Sequence, residues 1–222
     1  MKKEHESLAS DNVTYGDLPS VTGNRVQSSA TDVAPYINDT MSFLDTWKAI
    51  AGVRYDRYNA SLTNSINQPP SASQSIGYTS VRAGVIWQPT ETQAYYVSYG
   101  TSFNPSLETL TLVNGQQSLD PETSKQYEIG AKWDLLDGNL SLTSALFRIE
   151  KDHTRSQISP GFYELTGNIR VNGFQVSVAG NLTREWQVFG GYTYLDAKIV
   201  SASTLDATQG KVPANTPQGM AI

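Results

Sequence analysis

From about residue 30 onward, apolar residues recur at every second position rather than with a helical repeat. An extended strand sends successive side chains to opposite faces, so such a chain builds sheets, and one face of each must meet an apolar medium. In Tyr78 to Gln88, Val81, Ala83, Val85 and Trp87 share one face; Ser80, Arg82, Gly84 and Gln88 share the other, with Ile86 as the exception. Ser124 to Asp134 behaves alike, with Tyr127, Ile129, Ala131 and Trp133 alternating with Gln126, Glu128, Gly130 and Lys132. Further strands are predicted at Thr31 to Phe43, Thr46 to Tyr58, Gln93 to Ser102, Leu140 to Lys151, Gly167 to Leu182 and Trp186 to Ile199, and a ninth begins near Asn215. In Gly167 to Leu182 the apolar parity switches between Val171 and Phe174, which predicts a bulge at Asn172-Gly173.

Composition narrows the partners. A hydrophobic content of 38 % is low for a water-soluble globule of 222 residues with a full core. A formal net charge of -5 argues against an electrostatic nucleic-acid binder. With no cysteine, disulfides, thiolate metal sites and thiol catalysis are excluded, and His5 and His153 are the only imidazoles. No apolar run is long enough for a transmembrane helix. The opening Lys2-Lys3-Glu4-His5-Glu6 leads into polar sequence, so residues 1–29 read as polar coil, an extracellular loop or cut end, and the chain as a mature segment or truncated piece.

The connections alternate in length. Short ones fall at Leu44-Asp45, Pro89 to Thr92, Leu135 to Asn139 and Thr183 to Glu185; long polar ones run through Ala60 to Gly77, Phe103 to Glu122, Asp152 to Gly161 and Ser201 to Ala214. Short turns at one end and long loops at the other are the layout of an outer-membrane β-barrel, whose strands need about 9 to 11 residues to cross the hydrocarbon. Trp47, Trp87, Trp133 and Trp186 all lie beside the short turns, where indoles would form a girdle at the periplasmic membrane interface. Tyr55, Tyr58, Tyr78, Tyr99, Phe103 and Tyr194 lie towards the long loops and could form the opposite girdle; ordinary cross-strand pairs in a soluble sheet are the alternative. The polar face carries Arg54, Asp56, Arg82, Glu128 and Lys132 with interspersed glycine, which suits a wide or plugged lumen and a salt-bridge lattice. Eight strands and the start of a ninth depart from the even count usual for bacterial barrels, so residues 30–222 read as part of a larger wall.

Several stretches resemble the barrel of TonB-dependent siderophore receptors. They include Arg82-Ala83-Gly84-Val85-Ile86-Trp87-Gln88-Pro89-Thr90, Tyr96 to Pro105 (YVSYGTSFNP), Leu119 to Trp133 (LDPETSKQYEIGAKW) and Gly190 to Ala197 (GGYTYLDA). Within that family the phrasing is similar to the catecholate siderophore receptors. The resemblance implies a 22-stranded barrel around an N-terminal plug in the bacterial outer membrane, a ferric siderophore taken from outside, and drive from the TonB energy-coupling protein. Neither plug nor closing strands are found in this sequence, so the fragment is not expected to transport alone. Other readings are a passive porin or sugar channel and a soluble β-rich binding module.

A ferric catecholate complex is anionic and aromatic, so cations and rings near the outer mouth suit it. Arg57, Tyr58, Phe103, Arg155 and Tyr163 qualify by position, against the alternative that they snorkel at strand ends. No resident cofactor, metal site or catalytic residue is expected. Asp120-Pro121-Glu122 reads as a strand-entry turn, and Asp152, His153 and Ser156 share a loop without the spatial roles of a triad.

Overall fold

The computed structural model describes residues 26–64, 72–105, 120–159, 162–202, 208–213 and 219–221. Among them ten strand segments form one antiparallel sheet: β1 (Val26–Val33), β2 (Tyr36–Phe43), β3 (Trp47–Asn64), β4 (Ala72–Thr90), β5 (Gln93–Asn104), β6 (Glu122–Leu135), β7 (Leu140–Ser159), β8 (Phe162–Asn181), β9 (Gln187–Ser201) and β10 (Gly219–Ala221). Each strand pairs with its neighbour in sequence except at the first edge. There β1 and β2 lie end to end along β3, so the path β1-β3-β4-β5-β6-β7-β8-β9-β10 has nine positions. The predicted strand Thr31 to Phe43 is therefore broken, at Ala34-Pro35. Pro35 has no N–H for the ladder, and its carbonyl instead accepts from the Tyr55 amide at 3.0 Å. β1 also starts at Val26, inside the stretch assigned to coil; residues 1–25 lie outside the described ones.

All four short turns form where expected, while two of the expected loops are mostly strand. β3 and β4 run 18 and 19 residues, and β7 and β8 run 20 each, so Ala60 to Gly77 and Asp152 to Gly161 are largely ladder. These lengths far exceed the roughly 9–11 residues that cross hydrocarbon. Where both faces of a hairpin are wetted, polar residues occupy both, and the period-two signal vanishes although the strand continues.

The two faces differ as the sequence predicts. Val97, Ile129 and Leu146 oppose one another across β5, β6 and β7 on one face and are 57, 56 and 61 % exposed. Arg82, Ser98 and Gln126 occupy the other face. There one cavity of about 660 Å³ is lined from Thr40 on β2 to Ile149 on β7. Strands five spacings apart, roughly 24 Å along a flat sheet, share a cavity only if the sheet curls towards it, so the polar face is concave. Ile76, Ala131, Leu140, Ala145 and Ala197 are the only buried apolar residues among the described ones. A single layer with so little core must be stabilised by the medium against its convex face.

That convex face changes character at one level. Tyr127, Arg148, Asn172 and Asp196 lie directly opposite one another across β6 to β9. Below this row, towards the short turns, the convex positions are Ile129, Leu146, Phe174 and Tyr194; above it they are Lys125, Glu150, Arg170 and Lys198. On the concave face Ile149, Val171 and Ala197 enter at the same height. The parity switch in β8 is this inversion. The bulge predicted at Asn172-Gly173 does not form: the register runs unbroken through Phe147↔Gly173 and Gly173↔Leu195. Glycine stands there because a Cβ would meet the Phe147 ring and come within 2.7 Å of the Tyr194 carbonyl oxygen. The irregularities of the β7–β8 and β8–β9 ladders fall higher, at Lys151/Thr154, where exposed His153 has a φ of 59°, at Thr154/Arg155, at Gln157/Ser159 and at Asn168/Ile169.

Candidate functional site: the concave mouth

At the short-turn end, convex-face rings form a continuous row. Phe43 and Trp47 stand 6.4 Å apart, Trp47 and Trp87 6.0 Å, Trp87 and Tyr95 5.5 Å, and Tyr95 and Trp133 6.1 Å. The Trp133 indole N–H donates to Tyr95 Oη at 3.3 Å. Trp186 lies at the same end in the β8–β9 turn, 70 % exposed and outside this row. Towards the other end, Tyr99 packs on Tyr127 at 5.1 Å and Phe174 on Tyr194 at 5.9 Å. Tyr58 and Tyr78 do not join that second belt. They sit at concave register positions, Tyr58 opposite Asp32 and Tyr78 opposite Asp56.

The mouth of the concavity is organised around a split in the wall. The β4–β5 ladder ends at Arg82↔Gly100, while β3–β4 continues to Leu62↔Ala72 and β5–β6 to Asn104↔Glu122. At the end of the shared ladder the Val81 amide donates to Thr101 Oγ1 at 2.9 Å. The Phe103 ring crosses the opening to stack on Tyr78 at 4.8 Å. Beneath lies a cavity of about 490 Å³ whose lining includes Asp32, Arg54, Asp56, Tyr58 and Phe103.

Charge in this mouth is unevenly committed. Arg54 is held by Asp56 at 2.7 Å and Asp32 at 3.3 Å, so the three groups sum to one negative charge. Asp56 is 3 % exposed, and its Oδ2 has no donor among the described residues. An anion is therefore disfavoured beside Asp56 unless it brings a donor for that oxygen. Arg82 differs: no carboxylate pairs with it among the described residues, and it lines both the 660 Å³ cavity and an adjoining one of about 300 Å³. Its side chain lies across Gly52, where a Cβ would stand 3.0 Å from Arg82 Nε and collide with Asn38. The salt-bridge lattice expected of Glu128 and Lys132 does not form: among the described residues neither makes an ion pair, Lys132 lying two strand repeats from Glu128, whose partners are neutral. Tyr96 Oη donates to Glu128 Oε1 at 2.7 Å and Gln126 Nε2 to Oε2 at 3.2 Å; Lys151 pairs with Glu122 at 2.5 Å.

Of the five ligand candidates, Tyr58 and Phe103 meet in one cavity. Arg57 sits at a convex register position, opposite Gly77, on the same face as Val53 and Tyr55, and does not line that cavity. Arg155 and Tyr163 are on β7 and β8, and their side chains lie outside the described residues. Arg82 and Tyr78 were not singled out for ligand. Their concave parity was readable, but the ending of the β4–β5 ladder beside them had no signal in the pattern. Asp152 pairs with Lys125 at 3.3 Å, and the side chain of Ser156 lies outside the described residues.

An open antiparallel sheet with a lipid-like convex face, an aromatic row at one end and a charged concave face is a section of outer-membrane β-barrel wall. Residues 4–221 match the family described as TonB dependent receptor-like, beta-barrel, and the chain belongs to that family of outer-membrane transporters, which are not enzymes. It is 36 % identical over 176 residues to a protein of Acinetobacter baumannii described as "Probable TonB-dependent siderophore receptor PiuA", covering 74 % of this chain and 23 % of that one. With the catecholate siderophore receptor Fiu of Escherichia coli K12 the identity is 31 % over 195 residues, covering 75 % and 26 %. The crystal structure of that receptor in its closed form superposes with a TM-score of 0.76 at 25 % identity, over 88 % of this chain and 32 % of the other. This chain thus spans about a quarter of the length of these curated relatives.

Proposed function

We propose that this wall forms part of a receptor that captures a ferric siderophore of catecholate type outside the cell and admits it with energy coupled through TonB. The observation that carries the reading is likeness to siderophore receptors along most of the chain, Fiu among them. The mouth is consistent with it. Arg82 offers a guanidinium without a carboxylate partner, and Tyr58 and the Tyr78–Phe103 stack offer ring faces to a bulky aromatic anion. In this reading Trp47, Trp87, Trp133 and Trp186 form the periplasmic girdle, the Tyr127–Asp196 row marks the outer edge of the hydrocarbon, and residues 1–29 belong outside. The wall works only with a plug and further strands, because each unpaired backbone group at an open edge in lipid costs several kcal/mol.

The test is titration of the complete receptor with a ferric catecholate, read by intrinsic fluorescence. Arg82→Ala should weaken binding about 10- to 100-fold, the range for a hydrogen bond to a charged group, while Arg57→Ala leaves it unchanged. Equal losses in both variants, or no saturable binding by the parent, would refute the mouth as the site. Lipids carrying a quencher at headgroup depth should quench the four indoles; indifference to them would remove the girdle.

A further inference from the structure

We infer that Asp56, together with Asp32, makes the mouth selective for a cargo that carries a protonated amine beside its anionic iron-binding head. The inference rests on the proposed capture of a ferric catecholate and adds a second chemical feature to that cargo. Asp32, Arg54 and Asp56 are the charged residues among those lining the cavity of about 490 Å³, two carboxylates to one guanidinium.

The geometry locates the surplus negative charge. Arg54 Nε at 2.8 Å and Nη2 at 2.7 Å both approach one oxygen, Asp56 Oδ1, instead of bridging the two oxygens as a fork. Oδ2 is left without a donor among the described residues, in a side chain only 4 % exposed. Water screens such a charge poorly, so a cation brought into the cavity beside it is favoured more than one at an open surface. Asp32 is 35 % exposed and meets Arg54 at the longer 3.3 Å, which lets it turn to a second cation while Arg54 keeps Asp56. Tyr58 and Phe103 line the same cavity, and their ring faces attract a protonated amine. An amine brings N–H donors and positive charge together, as both the bare Oδ2 and the net charge call for.

This cavity is within reach of the seat for the anion. Arg82 stands opposite Gly52, four residues before Asp56 on β3, or about 13 Å along the strand. Between them the cavity of about 300 Å³ shares Arg82 with the largest cavity and Arg54 and Ser80 with the one holding the carboxylates. A cargo whose head is held at Arg82 can lay a short alkyl arm along this path and end it between Asp32 and Asp56.

The experiment is fluorescence titration of the complete receptor with two ferric catecholates alike except at one arm, which ends in a primary amine or in its N-acetyl derivative. The parent should bind the amine form about tenfold tighter or more, the range for one hydrogen bond to a charged group. Asp56→Asn and Asp32→Asn should each reduce that preference, and Asp32→Glu should keep most of it. Arg82→Ala should weaken both complexes together and leave their ratio in place. Heat modifiability on gels certifies that each barrel is folded. Millimolar butylamine, an amine without the anionic head, should leave the preference intact; its loss would mean that the carboxylates hold free amines, which overturns their role in reading cargo. Equal affinities in the parent, or an undiminished preference in a folded Asp56→Asn barrel, would overturn the inference and leave the catecholate reading standing. Absence of saturable binding by either complex would overturn both.

Discussion

Below and above the row Tyr127, Arg148, Asn172 and Asp196, the same strands obey opposite rules. Below it Ile129, Leu146 and Phe174 face outward over a polar concavity; above it Lys125, Glu150 and Arg170 face outward while Ile149 and Val171 turn inward. The backbone register does not change at the row. With the row proposed as the edge of the hydrocarbon, what changes is the medium outside, and sidedness in this wall is then set level by level by what the convex face meets. The difference also accounts for β7 continuing as a paired strand far above the row although its sequence there reads as loop.

The contrast can be broken most sharply on one strand. Ile129→Lys and Thr123→Lys place the same cation on the same face of β6, on either side of the row. In the complete receptor reconstituted in vesicles, urea unfolding should show a loss of about 2–4 kcal/mol for the first and about 0–1 kcal/mol for the second. Similar losses would mean that the row is not the edge of the hydrocarbon. A smaller effect, about 1–3 kcal/mol, is expected for Gly173→Val, whose side chain must displace the Phe147 ring and meets the Tyr194 carbonyl. Its partial recovery in Phe147→Ala, measured by the same unfolding, would locate the strain at that contact. The smallest effect belongs to the upper tier: Glu150→Gln breaks a partly exposed pair with Arg170 and should cost under about 1 kcal/mol, less still in high salt.

Much of this wall was legible in alternation alone. Val81, Ala83, Val85 and Trp87, then Tyr127, Ile129, Ala131 and Trp133, stand on the convex face as their spacing required, because half-immersed strands display period two directly. The four indoles fell at the short-turn end for the same reason. Legibility failed where both faces are polar: there nothing forces polar and apolar residues apart, so the upper ends of β3, β4 and β7 were read as loops and the parity switch in β8 as a bulge. The site was harder. Parity put Arg54, Asp56 and Arg82 in the lumen, but nothing in one dimension shows that two carboxylates occupy Arg54 while Arg82 stays available.

The early end of the β4–β5 ladder has a mechanical consequence. Above Arg82, among the described residues, the β3–β4 hairpin is fastened by a ladder along one margin only, the other being held by the Val81–Thr101 bond. A small rotation of that hairpin would break the Tyr78–Phe103 stack and the Thr101 bridge without breaking a rung between β4 and β5. The rim is thus weakest along one line, and that line runs beside the arginine proposed to receive the cargo.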